Sequence, residues 1–175
     1  NFDLQTIGQY PSITNGKLNL KTKNYPFNLN TQIQDWQHFA DDKSCKLNHL
    51  SLIAGGSLKN YDVKLVSQQG VNAYPLIYLT LLGKGDLTQF TLEQLSLNTQ
   101  KSAVSIQGDV TFKDDLLANI SGELTKLNLQ EFAANINTDL NGAFDLNFKQ
   151  SKSNWLLSVS NFDLGGSFAL GEDST

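Results

Sequence analysis

Chemistry in a 175-residue chain starts with its nucleophiles, bases and metal ligands, and here these are few and scattered. His38 and His49 are the only histidines, and Cys45 is the only cysteine. Neither histidine stands at metal-ligand spacing from Cys45 or from the other, and a lone cysteine forms no internal disulfide. Asp41-Asp42 and Asp114-Asp115 are paired carboxylates in sequence only. Adjacent residues of an extended segment face opposite ways, and both pairs sit in polar, turn-like stretches. Lys84-Gly85-Asp86 and the two Gly-Gly pairs lack the Gly-Lys-Ser/Thr ending of a phosphate loop, and no Gly-x-Ser-x-Gly elbow occurs. Asn119-Ile120-Ser121 matches a glycosylation sequon by itself and nothing more. The expectation is a protein that is not an enzyme and uses no cofactor or metal.

The charge balance excludes a second class. The net charge is −4, and every one of the 13 cationic side chains other than histidine is a lysine. A nucleic-acid binder needs a basic footprint, and forked recognition of phosphate needs arginine. No nucleic-acid partner is expected. No apolar run approaches the roughly 18 residues of a membrane span. The chain has no Met and opens mid-phrase at Asn1-Phe2-Asp3, which reads as a single segment, 1–175, of a longer protein.

What remains is a pattern of elements. From Phe144 to Val159 apolar residues fall on every second position: Phe144, Leu146, Phe148, then Trp155, Leu157, Val159. Period two marks a strand with one dry face. Residues 150–154 are polar and read as a hairpin loop. After Val159 the alternation changes parity and resumes at Phe162, Leu164 and Phe168, which requires a bulge or bend. The same grammar repeats upstream. Leu18 and Leu20 follow a hairpin signal at Asn15-Gly16. Phe27, Leu29 and Ile33 make a short strand. Residues 34–47 lack period two and read as a loop, or a single helical turn at Ile33, Trp36 and Ala40. Leu50 and Leu52 lead into Gly55-Gly56; Tyr61, Val63 and Leu65 end at a turn near Gln69-Gly70. Leu79 and Leu81 precede a turn at 83–86. Leu92 and then Leu95 and Leu97 show a parity slip at Gln94. Val104, Ile106, Val110 and Phe112 form a long strand, Asp114-Asp115 a turn, and Ile120 and Leu124 the return. Leu127 and Leu129 follow another slip, and Glu131–Ala134 can form a helical turn.

Two internal echoes stand out. The segment 13–20 resembles 140–146, each read as an apolar residue, a turn, Gly and an alternating strand. The segment 50–58 resembles 162–168, each with an alternating pair, Gly-Gly, Ser and an apolar residue. About a dozen strands with hardly any helix predict an all-β antiparallel meander. A closed sandwich or barrel hides the apolar faces, whereas a long sheet folded over itself leaves a greasy channel. Periodicity does not separate these.

The order of the pieces adds a resemblance. Leu50-Ser51-Leu52, Gly56-Ser57-Leu58-Lys59-Asn60-Tyr61, Leu79-Thr80-Leu81-Leu82-Gly83-Lys84-Gly85, Leu95-Ser96-Leu97, Gly108-Asp109-Val110, Gly122-Glu123-Leu124, Leu140-Asn141-Gly142, Trp155-Leu156-Leu157 and Phe162-Asp163-Leu164 together resemble the TamB family of Gram-negative translocation and assembly modules. Phe112 departs from the tryptophan expected after the Gly-x-Val strand, and 130–138 lack a Pro-rich bend. The resemblance implies a long antiparallel sheet curled like a taco, with an apolar groove and little helix. It implies a periplasmic location as part of an inner-membrane-anchored protein. Implied partners are phospholipid acyl chains and TamA, an Omp85-type outer-membrane barrel, with unfolded outer-membrane proteins as further clients. The implied role is phospholipid transport between the membranes. The alternatives are a chaperone-like scaffold that pairs with client strands and a closed sandwich of the adhesin type. A dozen strands across the groove at about 4.8 Å spacing give roughly 55 Å of channel. Leu18, Leu20 and the alternating apolar residues named above from Leu50 to Phe168 are the expected groove lining.

Overall fold

The computed structural model describes residues 2–6, 12–40, 43–71, 75–131, 136–151 and 154–170. They form one sheet of eleven strands, paired in chain order and antiparallel throughout. The strands are β1 (Phe2–Thr6), β2 (Ser12–Leu18), β3 (Pro26–Ala40), β4 (Lys43–Ser57), β5 (Asn60–Val71) and β6 (Ile77–Gly85), followed by β7 (Gln89–Asn98), β8 (Ala103–Thr111), β9 (Leu116–Leu127), β10 (Ile136–Ser151) and β11 (Asn154–Leu170). Among the described residues the helical content is a single 3-10 turn, Leu129–Glu131. Ten inter-strand spacings of about 4.8 Å make the sheet about 48 Å long.

No strand contacts any strand but its sheet neighbours, and β1 does not pair with β11. Among the described residues the sheet is therefore open, curls only weakly and has no second layer. The closed sandwich is excluded. Only Ala54 and Ala118 are buried apolar residues among those described, and the total accessible surface is 11916 Å². A compact monomer of this size exposes about 8,500 Å². The excess is what a one-layer sheet leaves wet.

The parity slips expected from sequence are bulges inside continuous strands. Ser160 is unpaired between Val159 and Asn161 of β11. Glu93 is unpaired in β7. Thr125 and Lys126 of β9 face Asn141 alone, and Lys126 takes a positive φ of 49°. Each bulge restores the apolar residues to one face by one extra residue.

Several local expectations are corrected. Residues 34–40 and 43–47 are strand, not loop or helix: β3 and β4 each run 15 residues. Asp35, at φ 50°, sits opposite Asn48 between the pairs Gln34↔His49 and Trp36↔Leu47. The β3–β4 register is the same on both sides of this position; the extra residue is Asn48 of β4, which lies between Leu47↔Gln69 and His49↔Gln68 in the β4–β5 pair. Asn15-Gly16 is not a hairpin: it lies inside β2, where Gly16 is buried and paired with Leu29. Asn141-Gly142 likewise lies inside β10. Asn141 Oδ1 accepts the Lys126 amide at 2.9 Å, and a side chain at Gly142 would collide with Leu164 and the Asp163 carbonyl. Neither glycine is in a turn, and Gly142 serves close approach. Gln69 and Gly70 are still strand, and the 83–86 turn begins only at Asp86. Ile7, Asp41-Asp42 and Phe132–Ala134 lie outside the described residues.

Candidate functional site

Cross-strand partners share a face, so the register can be followed from strand to strand. One row runs Leu18, Phe27, Gly56, Tyr61, Gly85, Phe90, Val110, Ala118, Phe148, Leu157. The next runs Leu29, Ala54, Val63, Gly83, Leu92, Gly108, Ile120, Leu146, Val159. A third runs Thr31, Leu52, Leu65, Leu81, Leu95, Ile106, Gly122, Phe144, Phe162, and a fourth Ile33, Leu50, Ser67, Leu79, Leu97, Val104, Leu124, Gly142, Leu164. Leu127 with Leu140, and Phe168 with Thr138, continue this face at its far end. Four rows two residues apart give an apolar band about 20 Å wide.

The strand-borne residues singled out in the sequence thus share one face. Three others are not carried by the sheet. Leu20 lies in the β2–β3 turn, Phe112 follows the last residue of β8, and Leu129 belongs to the 3-10 turn.

Sequence reasoning missed how glycine and aromatic residues alternate along the first row. Gly56, Tyr61, Gly85 and Phe90 are successive partners. A Cβ at Gly85 would lie 2.8 Å from the Tyr61 hydroxyl, and one at Gly83 would strike the Phe90 ring. Phe27 and Tyr61 ring centroids are 6.2 Å apart, and Tyr61 and Phe90 are 6.5 Å apart and nearly parallel. The rings lie over bare backbone and shield it from water, which an open sheet otherwise cannot do. The signal was present in sequence as Gly-x-Gly facing an aromatic, but it needs the register to be read.

The opposite face is mainly polar, with Ile53, Tyr78, Leu117 and Leu156 exposed on it as apolar exceptions. Its row corresponding to Phe27 and Tyr61 runs Lys17, Asn28, Gly55, Asp62, Lys84, Thr91, Asp109, Asn119, Asn147, Ser158. Lys84 pairs with Glu93 at 2.6 Å, and this hydrogen bond and charge raise the ammonium's pKa above its ordinary value. A hollow of about 460 Å³ opens on this face, lined by Thr91, Gln107, Asp109, Asn119, Asp145 and Asn147 among others. Its groups bind one another: the Thr91 hydroxyl donates to Asp109 at 2.6 Å. No group of His, Cys, Asp and Glu among the described residues has the geometry to hold a metal.

At one end of the strands a polar clasp closes the sheet's border. Glu131 Oε2 accepts the Thr99 hydroxyl at 2.5 Å and the Ser102 hydroxyl at 2.6 Å. Ser102 Oγ accepts the Asn128 amide at 3.0 Å, and buried Thr138 Oγ1 accepts the Leu129 amide and donates to the Leu127 carbonyl, both at 2.8 Å. The Ser102 proton is committed to a carboxylate and its lone pair to an amide. The cluster is a structural tie and not a nucleophile with its base. At the other end, Asp86 Oδ1 accepts from the Thr88 amide (2.6 Å), the Thr88 hydroxyl (2.7 Å) and the Gln89 amide (3.0 Å). These bonds, the Thr88 hydroxyl first, hold its carboxyl below the ordinary carboxylate pKa.

Fold and face together define a single-layer β-sheet protein with one continuous uncovered apolar surface. The family model described as "TamB, N-terminal domain" matches residues 1–169, and the chain belongs to this family. It is 25% identical over 166 residues to the translocation and assembly module subunit TamB of Haemophilus influenzae. That match covers 93% of this chain and 13% of the relative, so the chain spans about an eighth of the relative's length. No solved structure matches the chain. Among the described residues no helix is long and apolar enough to cross a membrane.

Proposed function

We propose that the chain is a segment of a periplasm-spanning conduit whose apolar face shields phospholipid acyl chains during transport between inner and outer membranes. The observation that carries this reading is the uncovered apolar face, continuous in register from β2 to β11. An ordinary core would be roofed by a second layer. Two acyl chains represent on the order of 25 kcal/mol of exposed hydrocarbon at about 0.8 kcal/mol per methylene. A carrier must keep them dry and leave the headgroup in water. One leaflet's hydrocarbon is about 15 Å deep, and the 20 Å band accommodates that length laid along the strands. In this reading the segment is non-enzymatic and belongs to an inner-membrane-anchored protein of a Gram-negative envelope. It acts with a TamA-like Omp85 barrel in the outer membrane. The test is lipid retention by the purified chain, read by mass spectrometry. A charge at Ile106 or Leu157 abolishes co-purified phospholipid, and a charge at Ser105 or Leu156 leaves it. Equal loss at both parities rejects a one-sided trough.

A further inference from the structure

Glu93 and Ser160 are the extra residues of the bulges in β7 and β11, and both border the hollow of about 460 Å³ on the polar face. A bulge bends its strand and re-aims side chains. These two stand four strand spacings, about 19 Å, apart. Between them the register sets out two rows of polar side chains. Gln107, Ser121 and Asp145 are successive cross-strand partners, and so are Asp109, Asn119 and Asn147. A smaller hollow of about 260 Å³ adjoins the first and shares Gln107, Ser121 and Asp145 with it. Together the two hollows form a furrow that crosses the strands. We propose that this furrow binds a neutral oligosaccharide.

Much of the furrow's hydrogen-bonding capacity is unpaired. The Thr91 hydroxyl engages only Oδ1 of Asp109, and Asn147 Nδ2 donates to Ser160 Oγ at 3.1 Å. Among the described residues the side chains of Gln107, Asn119, Ser121 and Asp145 make no hydrogen bond. The lining also rules out other guests. No lysine lines either hollow, and the carboxylates of Asp109 and Asp145 repel an anion. An apolar molecule would desolvate amides and carboxylates without replacing their bonds to water. The acidic side chains lack the geometry to hold a metal. A sugar meets these conditions. Each of its hydroxyls both donates and accepts, as the amides and Ser121 do, and a carboxylate accepts strongly from a hydroxyl. An uncharged chain of sugars laid across β8, β9 and β10 meets the two rows strand by strand. The furrow lies on the face opposite the apolar band, so this binding goes beyond the conduit reading and does not depend on it.

The test is an NMR titration of the 175-residue chain, followed at the side-chain amides of Gln107, Asn119 and Asn147. The probes are chitotetraose and maltotetraose, both neutral, and the cationic chitosan tetramer. A neutral tetramer is expected to shift all three signals and to saturate with a Kd on the order of 1 mM or tighter. Gln107→Ala with Asn119→Ala, read at Asn147, weakens this on the order of tenfold through two lost hydrogen bonds. Asn28→Ala, on the same face in β3 but outside the furrow, leaves it unchanged. All three substituted side chains are exposed, and phospholipid retention measured in the same samples reports on the apolar face separately. Shifts with the cationic tetramer alone would mean that the carboxylates act by charge, and overturn the proposal. It is equally overturned if neither neutral tetramer shifts these signals, if binding survives the double substitution, or if Asn28→Ala weakens it as much, whatever the apolar face holds.

Discussion

The Phe144 ring lies over Gly122, its cross-strand partner, so closely that a Cβ at position 122 would fall against the ring. The pair sits in the third row of the apolar face, beside Ile106 and Phe162. A large ring and a missing side chain together make one surface of even height.

Gly122→Val therefore destabilises the sheet. Forcing a branched side chain beneath a packed ring costs about 1–3 kcal/mol. Urea denaturation should show the lowered midpoint, and Phe144→Leu in the Gly122→Val background should recover part of it. No change in midpoint would mean the ring does not rest on the glycine.

Glu131 ties the 3-10 turn to the β7–β8 turn through two hydroxyls. Glu131→Ala leaves those hydroxyls without their carboxylate and costs about 1–3 kcal/mol. Amide exchange at Asn128 and Ser102 should accelerate, while lipid retention stays as it was. Lipid loss without faster exchange would make the cluster part of the site.

Asp86 gives a pH dependence of definite sign. Its folded carboxyl titrates below the ordinary carboxylate value because the charged form accepts three bonds. Its contribution is complete above the unfolded pKa of about 4 and is lost as pH falls through the depressed folded value. Exchange of the Thr88 and Gln89 amides should rise across that acidic window and be insensitive to it in Asp86→Asn. A β6–β7 turn equally protected on both sides of the window would contradict this.

In the isolated 175-residue chain no further strand lies beside β11, and this chain should self-associate through that edge. Leu156 and Val159 are exposed on a strand with one unpaired side. Lysine at either position blunts such an edge and should shift sedimentation profiles toward monomer at high concentration. Unchanged profiles would place association elsewhere.

Period two made the face legible before the structure: Val104, Ile106 and Val110 needed only counting, and the slips at Gln94 and after Val159 announced bulges. The echo between 50–58 and 162–168 was also structural, since Gly56 and Gly166 both adopt positive φ, 121° and 135°. Local sequence failed where register decides. Asn15-Gly16 has the composition of a turn, yet its neighbours on both sides hold it flat in β2. The apolar alternation breaks where Asp35, at positive φ, faces Asn48, and a strand was hidden behind what looked like a loop. Sandwich and open sheet share the same alternation, because what covers a strand is set by other parts of the chain.

The most direct measurement places a photo-crosslinking side chain at Ile106 and, in a separate protein, at Ser105. The two positions are adjacent on β8 and face opposite sides of the sheet. Phospholipid crosslinks at Ile106 and not at Ser105 are the expected result. Equal yields at both, or crosslinks at Ser105 alone, would contradict an apolar trough occupied by acyl chains.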